Sequence, residues 1–419
     1  VYVTLGLEAP VSCLDAATGE TLQVYEGTAK TEEIIYSDGV LFLLINDDPY
    51  RQPNKPSELV YDFAEGQRRI VALDAQSGDV LWNVTQPSVL PITLTADQEH
   101  VLFCGDERVF CLDRNNGEQL WQSEQVQRRK SIPTFFGLTL VAYQDVVLFS
   151  GGSPERDEKN ATGGDNTMYA LDAKTGKTLW THDHPASGYK SAEDILVIDG
   201  LAWITENTFG SQSGVCIGLD PKTGEKVKEF VPDVDTHWFH HRCYRAKATD
   251  NYLLYSRTGI EFVDPETEHW ECHHWVRGAC LYGILPGNGM VYNAPHPCAC
   301  YLEAKLYGFN ALAPATPTRT IPAETAAANR LEKGPAFSAD GSQVSGDAEE
   351  DWPTYRRDAA RSGYTPTPVS ADVASRWQTE LGGRLSPPVI AAGKIFVASI
   401  DTHTVHALDE MTGEPAWNF

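Results

Sequence analysis

One short phrase recurs through these 419 residues: Leu-Asp-x-x-x-Gly-x-x-Leu-Trp. The copies read LDAATGETLQVY from Leu14, LDAQSGDVLW from Leu73, LDRNNGEQLW from Leu112, LDAKTGKTLW from Leu171, LDPKTGEKVKEF from Leu219 and LDEMTGEPAW from Leu408. Two degenerate copies, VDPETEHW from Val263 and FNALAP from Phe309, fill the gaps. A phrase at a steady period makes the chain an array, in which each unit buries its apolar face against its neighbours.

The apolar residue and the Asp end a strand. The carboxylate is placed to accept hydrogen bonds from backbone N–H groups of the following turn. Gly78, Gly117, Gly176 and Gly224 supply the positive φ that closes it. A new strand then resumes, and its aromatic packs against the neighbouring unit. Upstream, GVLFLLI, HVLFCG, DVVLFSG, LAWITE, NYLLYSR, GMVYNA and GKIFVASI are short β-branched and aromatic runs of strand type. The anchor positions are 15, 74, 113, 172, 220, 264, 310 and 409, with first intervals of 59, 39, 59, 48, 44 and 46. A four-stranded propeller blade needs roughly 40–50 residues. The expected fold is therefore all-β, a β-propeller of four-stranded antiparallel blades. Polar inserts at Asp48–Gly66 and Ser153–Asn166 account for the two long intervals and belong on a loop face. The last interval, 99, holds one blade and an Ala/Pro/Thr/Ser/Gly-rich connector at 315–350.

The A-x-D-x-x-T-G-x-x-x-W form of the phrase resembles the tryptophan-docking repeat of the quinoprotein-type, PQQ-like β-propellers. The resemblance implies an eight-bladed type, with each Trp stacked between adjacent blades. A closer likeness is carried by VYVTLGLEAPVSCLDAATGETLQVYEGT, by HHRCYRAKATDNYLLYSRTGIEFVD, by the stretch from His273 to Pro314 and by DWPTYRRDAARSGYTPTP. These resemble a bacterial, planctomycete-type multidomain family in which propeller segments follow a methyltransferase-like region. That region is not in this chain, so the resemblance assigns it no such activity. In such relatives DWP-x-[FY]-R opens a second propeller. The expected organisation is thus about seven blades in 1–314, a linker at 315–350, and at 351–419 the first blade of a second propeller. The rival organisation makes 351–419 the closing blade of the first ring. The start at Val1 and the stop two residues after Trp417 both read as cut ends.

Net charge is −25, from 58 acidic and 33 basic residues, which opposes nucleic acid and anionic membranes as partners. No run of 18 apolar residues exists, so no helical membrane span is expected. Nine cysteines without paired spacing do not make a small-domain disulfide framework. Cys104 and Cys111 flank a two-residue turn, which sets them diagonal to each other; they read as small core residues. An extracytoplasmic, periplasmic location rests on the resemblance alone.

Chemistry-bearing side chains are concentrated. Seven of 12 His and five of nine Cys fall within 237–300. His240, His241 and Cys243 lie in THWFHHRCYR; Cys272, His273 and His274 in HWECHHWVRGAC; His296, Cys298 and Cys300 in PHPCAC. Thiolate and imidazole together suit zinc, copper or iron. Cys298 and Cys300 share a face of a strand, roughly 6–7 Å apart, but no paired Cys-x2-Cys spacing exists. Three readings stay open: a metal site, a disulfide, or core Cys with hydrogen-bonded His. Arg242, Arg245, Arg277 and Trp275 interleave with these residues and suit an anionic or planar ligand such as a carboxylated sugar.

The resemblance invites PQQ and alcohol oxidation, but the vicinal Cys-Cys of those dehydrogenases is missing, and no calcium set or catalytic Asp falls on a matching motif. PQQ is not expected, and the same repeat builds non-catalytic scaffolds. The first expectation is a non-catalytic module recognising a protein or glycan through its loop faces. The alternative is a metal-dependent oxidoreductase or carbohydrate-active enzyme using the cluster at 237–300. The broken copies at Val263 and Phe309 border that cluster.

Overall fold

Every phrase whose Asp survives folds as the same turn. Asp15 Oδ1 accepts from Ala17 N at 2.9 Å and Thr18 N at 2.8 Å, and Asp74 Oδ1 from Gln76 N at 2.9 Å and Ser77 N at 2.7 Å. Asp113, Asp172, Asp220, Asp264 and Asp409 act alike. These bonds hold the Asp15, Asp74, Asp220 and Asp409 carboxyls below the usual carboxylate range. Gly19, Gly78, Gly117, Gly176, Gly224 and Gly413 then close the turn at φ between 70° and 81°. A bulge opens the strand just ahead of the phrase Leu in each of these copies, for example between Ala72 and Leu73.

A computed structural model describes residues 1–47, 66–129, 138–154, 166–185, 194–206, 213–233, 244–255, 259–279, 283–295, 306, 308–315, 351–354, 356–358 and 360–419. Most of both polar inserts, and 316–350 of the connector, lie outside them. The described residues form eight antiparallel sheets and no helix, consistent with propeller blades. Six sheets have four strands; the first and the seventh have three. Strands within each sheet follow chain order, as a meander requires.

The chain divides into two units, Val1–Thr316 and Pro317–Phe419. In the first unit the seven sheets span 2–25, 31–86, 95–122, 139–183, 196–230, 247–273 and 284–312. Leading strands of successive sheets neighbour one another, as around the axis of a propeller: Tyr2–Thr4 with Thr31–Ser37, Thr31–Ser37 with Thr95–Ala96, and Thr95–Ala96 with Thr139–Tyr143. Middle strands are buried on both faces. Val40–Asn46 (VLFLLIN) and Arg68–Asp74 (RRIVALD) read as nearly continuous apolar runs for that reason. The outermost strand, Val80–Gln86, buries chiefly Trp82.

Cores lie between sheets. Phe42, Leu44, Ile70, Ala72 and Trp82 of the second sheet pack on Val101, Phe103 and Leu112 of the third. Burying a side chain such as Phe42 or Leu44 is worth about 1.5–3 kcal/mol. Cys104 pairs with Val109 and Cys111 with Leu102; both thiols are fully buried in the core between the third and fourth sheets, as their turn spacing implied. Burial pushes each up to about 12.

In the second unit, one sheet spans 389–418. Trp352 of the DWP motif bridges Ile390 through N–H···O bonds of 2.9 and 3.0 Å, and Asp351 accepts from Ala392 N at 3.2 Å. Trp377 seats on Gly413 and donates to the Glu410 carbonyl at 3.1 Å.

Candidate functional site

The phrase turns form the joints between sheets. Trp82 Nε1 donates to the Arg114 carbonyl at 2.8 Å, Trp121 Nε1 to Ala173 at 2.8 Å and Trp180 Nε1 to Pro221 at 2.9 Å. Tyr25 donates to Ala75 at 2.6 Å. Each acceptor is the residue after the phrase Asp of the following sheet. Each indole also lies flat on that phrase's Gly. A Cβ at Gly117, Gly176 or Gly224 would stand 2.7, 2.3 or 2.7 Å from the ring of Trp82, Trp121 or Trp180. The glycine therefore serves close approach as well as positive φ.

The fifth-to-sixth joint differs. LDPKTGEKVKEF places Lys228 where the other phrases have Trp, and Phe230 two residues on. Opposite it, Glu268 replaces the Gly and holds φ at 62°. Lys228 Nζ lies 3.6 Å from Glu268 Oε1. Lys228 and Glu268, which stand in place of the Trp and the Gly, thus face each other across this joint.

A charged cluster occupies the axial ends of the first unit. Arg245 precedes the leading strand of the sixth sheet. It crosses to the fourth, donating to Thr139 Oγ1 at 2.8 Å and the Leu138 carbonyl at 2.6 Å, and pairs on the way with Asp194 at 3.1 Å. The other Asp194 oxygen accepts from Ala246 N at 2.7 Å. Burial pushes the Asp194 carboxyl up against the pull of Arg245. Lys247 sits beside this pair. Burial drives its ammonium downward, Asp194 opposes that shift and Arg245 adds to it. Glu33, on the leading strand of the second sheet, binds the entry to the third through Ile92 N and through Leu94 N, the latter at 3.2 Å. Burial pushes its carboxyl up to about 7, against those two bonds. Ile92 itself holds φ at 59°, an uncommon state for a β-branched residue. Glu33 thus ties the second sheet to the third, and Arg245 with Asp194 ties the fourth, fifth and sixth. Lys247 alone among the four makes no ion pair or hydrogen bond among the described residues.

Glu33, Asp194 and Lys247 were not singled out by sequence. Their partners are 51 to 61 residues away for the bonds shown, and none lies in the phrase. The available signal is a charge inside a short strand-like run next to a blade's start.

Of the sequence candidates, Arg245 belongs to this cluster. Cys272 and His273 lie instead on the outermost strand of the sixth sheet, Trp270–His273, and His274 follows it. Cys272 Sγ and His274 Nδ1 are 3.7 Å apart, while His273 packs against Phe262 and Trp275. No group of three or more metal-ligating side chains converges among the described residues. Arg277 is fully buried, its Nε donating to the Gly278 carbonyl at 3.0 Å. Trp275 is 41% exposed. His240, His241, Arg242, Cys243, His296, Cys298 and Cys300 lie outside the described residues.

These joints and sheets define a PQQ-like β-propeller repeat protein. The chain belongs to the family described as outer membrane protein assembly factor BamB, whose model matches residues 7–155 and 66–231. No curated protein matches it. Among solved structures it is similar to the computationally designed Ika8 protein, at 15% identity and TM-score 0.44 over 68% of this chain and 74% of that one. It is also similar to BamB from Moraxella catarrhalis, at 14% identity and TM-score 0.38 over 70% and 92%. A third is quinohemoprotein alcohol dehydrogenase ADHIIG from Pseudomonas putida HK5, at 13% identity and TM-score 0.35 over 100% and 64%.

PQQ, a planar tricarboxylate, needs an open stacking slot and uncommitted cations. Among the described residues the Arg245 guanidinium is committed to Leu138, Thr139 and Asp194 and is not free to hold a PQQ carboxylate. No helix of the described residues is long and apolar enough to cross a membrane.

Proposed function

We propose that this chain is a non-catalytic propeller module that binds a partner protein through its loop faces, as a scaffold in an extracytoplasmic assembly. Membership of the assembly-factor family over residues 7–231 carries this reading. The chemistry of the joints supports it. The phrase carboxylates are held by their own turns, and Arg245, Asp194 and Glu33 by bonds between sheets. A glycan is the second ligand class, suited by the exposed Trp275. We further propose that 351–419 is the first blade of a second propeller, joined to 1–314 by the connector at 315–350, within a bacterial multidomain protein. The competing assignment is a closing blade.

A photo-crosslinking amino acid at Trp275 or Ile92, both exposed, tests the binding role in cells. One discrete protein adduct, lost when the probe moves to a buried-joint position, is expected. The reading fails if no adduct forms and the purified chain carries stoichiometric zinc, copper or iron that Cys298→Ser/Cys300→Ser removes.

A further inference from the structure

The linker that enters the third sheet is held at Leu90, Ile92, Thr93 and Leu94. Leu90 N donates to the Cys104 carbonyl at 2.8 Å, and Cys104 N to Thr93 Oγ1 at 3.1 Å. Thr93 is fully buried, and its hydroxyl donates to the Leu90 carbonyl at 2.7 Å. Glu33 takes Ile92 N on one carboxylate oxygen and Leu94 N on the other. Val89, Leu90 and Leu94 are buried in the cores. Ile92, among them, is 55% exposed. Its φ of 59° is a state that glycine holds at no steric cost and a β-branched residue does not. The isoleucine therefore strains the fold and leaves apolar surface in water. Strain held in place by a rigid frame, with an apolar side chain turned outward, points to a contact.

In a four-stranded meander the linkers leave one end of each sheet and the phrase turns the other. Lys247 shares the linker end, and the neighbourhood, with Ile92. Beyond Ile92 the chain enters Thr95–Ala96, where Thr95 Oγ1 donates to the Leu140 carbonyl at 3.3 Å. The two residues before Leu140 hold the Arg245 guanidinium, and Arg245 lies two residues ahead of Lys247. Arg245 is near enough for its charge to act on the Glu33 carboxyl and on the Lys247 ammonium. Asp194 is committed to Arg245 and to Ala246 N, and Glu33 to the linker. The half-buried Lys247 is thus left beside a second cation, with no acceptor among the described residues. Such an ammonium favours a contact that supplies a carboxylate. The chain as a whole carries a formal charge of −25, which repels an acidic run. The complement of this end is therefore one carboxylate set among apolar residues.

We infer that Ile92 and Lys247 form a docking point on the linker end of the first unit, and that its occupant is a segment of a partner protein carrying one Asp or Glu among apolar side chains. An apolar side chain of that segment covers Ile92, and its carboxylate accepts from Lys247 Nζ. This docking point rests on the binding role proposed above and gives that role a location. The linker is already held in shape by Glu33 and Thr93, so little ordering opposes the contact.

Fluorescence anisotropy of the full chain with labelled, amidated peptides tests this. Each peptide sets one glutamate among leucines and valines within a glycine–serine frame, and its reference carries glutamine in that place. The glutamate peptides are expected to bind. Glutamine in the peptide, Lys247→Gln and Ile92→Gly each weaken binding on the order of tenfold or more. Ile92→Gly has a second signature. Its urea midpoint holds or rises while binding falls, because glycine takes a φ of 59° without strain. Leu81→Ser, at a position 50% exposed on the outermost strand of the second sheet, leaves binding unchanged. Equal binding of glutamate and glutamine peptides, or binding that survives both Ile92→Gly and Lys247→Gln, overturns the docking point. So does a chain that binds none of the peptides. In cells, an adduct from the probe at Trp275 that both variants leave intact means a partner bound elsewhere: the docking point then falls while the binding role stands.

Discussion

Replacing Gly176 with alanine places a methyl carbon 2.3 Å from Trp121 Cε3 and 2.8 Å from Cδ2. Gly176 also holds φ at 70°, where an L-residue costs about 1–2 kcal/mol. The indole must shift, at roughly 1–3 kcal/mol for overpacking. Its 2.8 Å bond to Ala173 is lost in the shift, worth about 0.5–1.5 kcal/mol. Together these make a loss of about 3–6 kcal/mol. Gly19→Ala is the internal control: φ is 73° and the space is empty, so only the backbone cost of about 1–2 kcal/mol remains. Gly78→Ala falls between them, since its nearest neighbour is the movable amide end of Gln23 at 2.7 Å. Urea unfolding in dilute solution, followed by tryptophan fluorescence, measures all three. The expected order of loss is Gly176, Gly78, Gly19. Equal losses at Gly176 and Gly19 would refute the claim that the glycine is there for the indole as well as for the turn.

Three other outcomes are expected. Glu33 is held up to about 7 by burial, so the folded chain keeps its proton between about pH 4.5 and 7 while the unfolded chain loses it. Stability is then highest below that window and falls through it, on the order of 3 kcal/mol; urea unfolding across pH should show this slope flattened in Glu33→Gln. Arg245→Met leaves Asp194 without its partner and should cost about 3–5 kcal/mol in thermal and urea unfolding, part of which Asp194→Asn restores. Lys228→Trp with Glu268→Gly should rebuild an indole joint. The double variant should exceed the sum of its single variants by about 1–2 kcal/mol in a double-mutant cycle.

The array was legible because its determinants are local. The Asp, the Gly and the bulged strand before them act within ten residues of each other, so the phrase reported turn, strand and period together. Cys104 and Cys111 were legible for the same reason, since a two-residue turn dictates their register. The axial cluster was not. Arg245 meets Leu138 and Thr139 across 107 and 106 residues, and ring geometry alone makes those neighbours. Arg245 was noticed for its neighbours in sequence, His241 and Cys243, rather than for Asp194. The second role of the glycine had a trace in the sequence. Lys228 and Glu268 are lapses in successive copies, and they meet across one joint.

The Lys228–Glu268 joint makes the blades non-interchangeable. A blade ending in Trp121 moved ahead of Glu268 would drive its ring into a side chain. A blade ending in Lys228 moved ahead of Gly176 would leave a lysine on a bare turn. What is inherited intact when such an array lengthens by duplication is therefore the joint, half from one repeat and half from the next. A copied segment that begins mid-blade keeps its joints whole, while one cut at blade boundaries must find a matching neighbour or leave a seam.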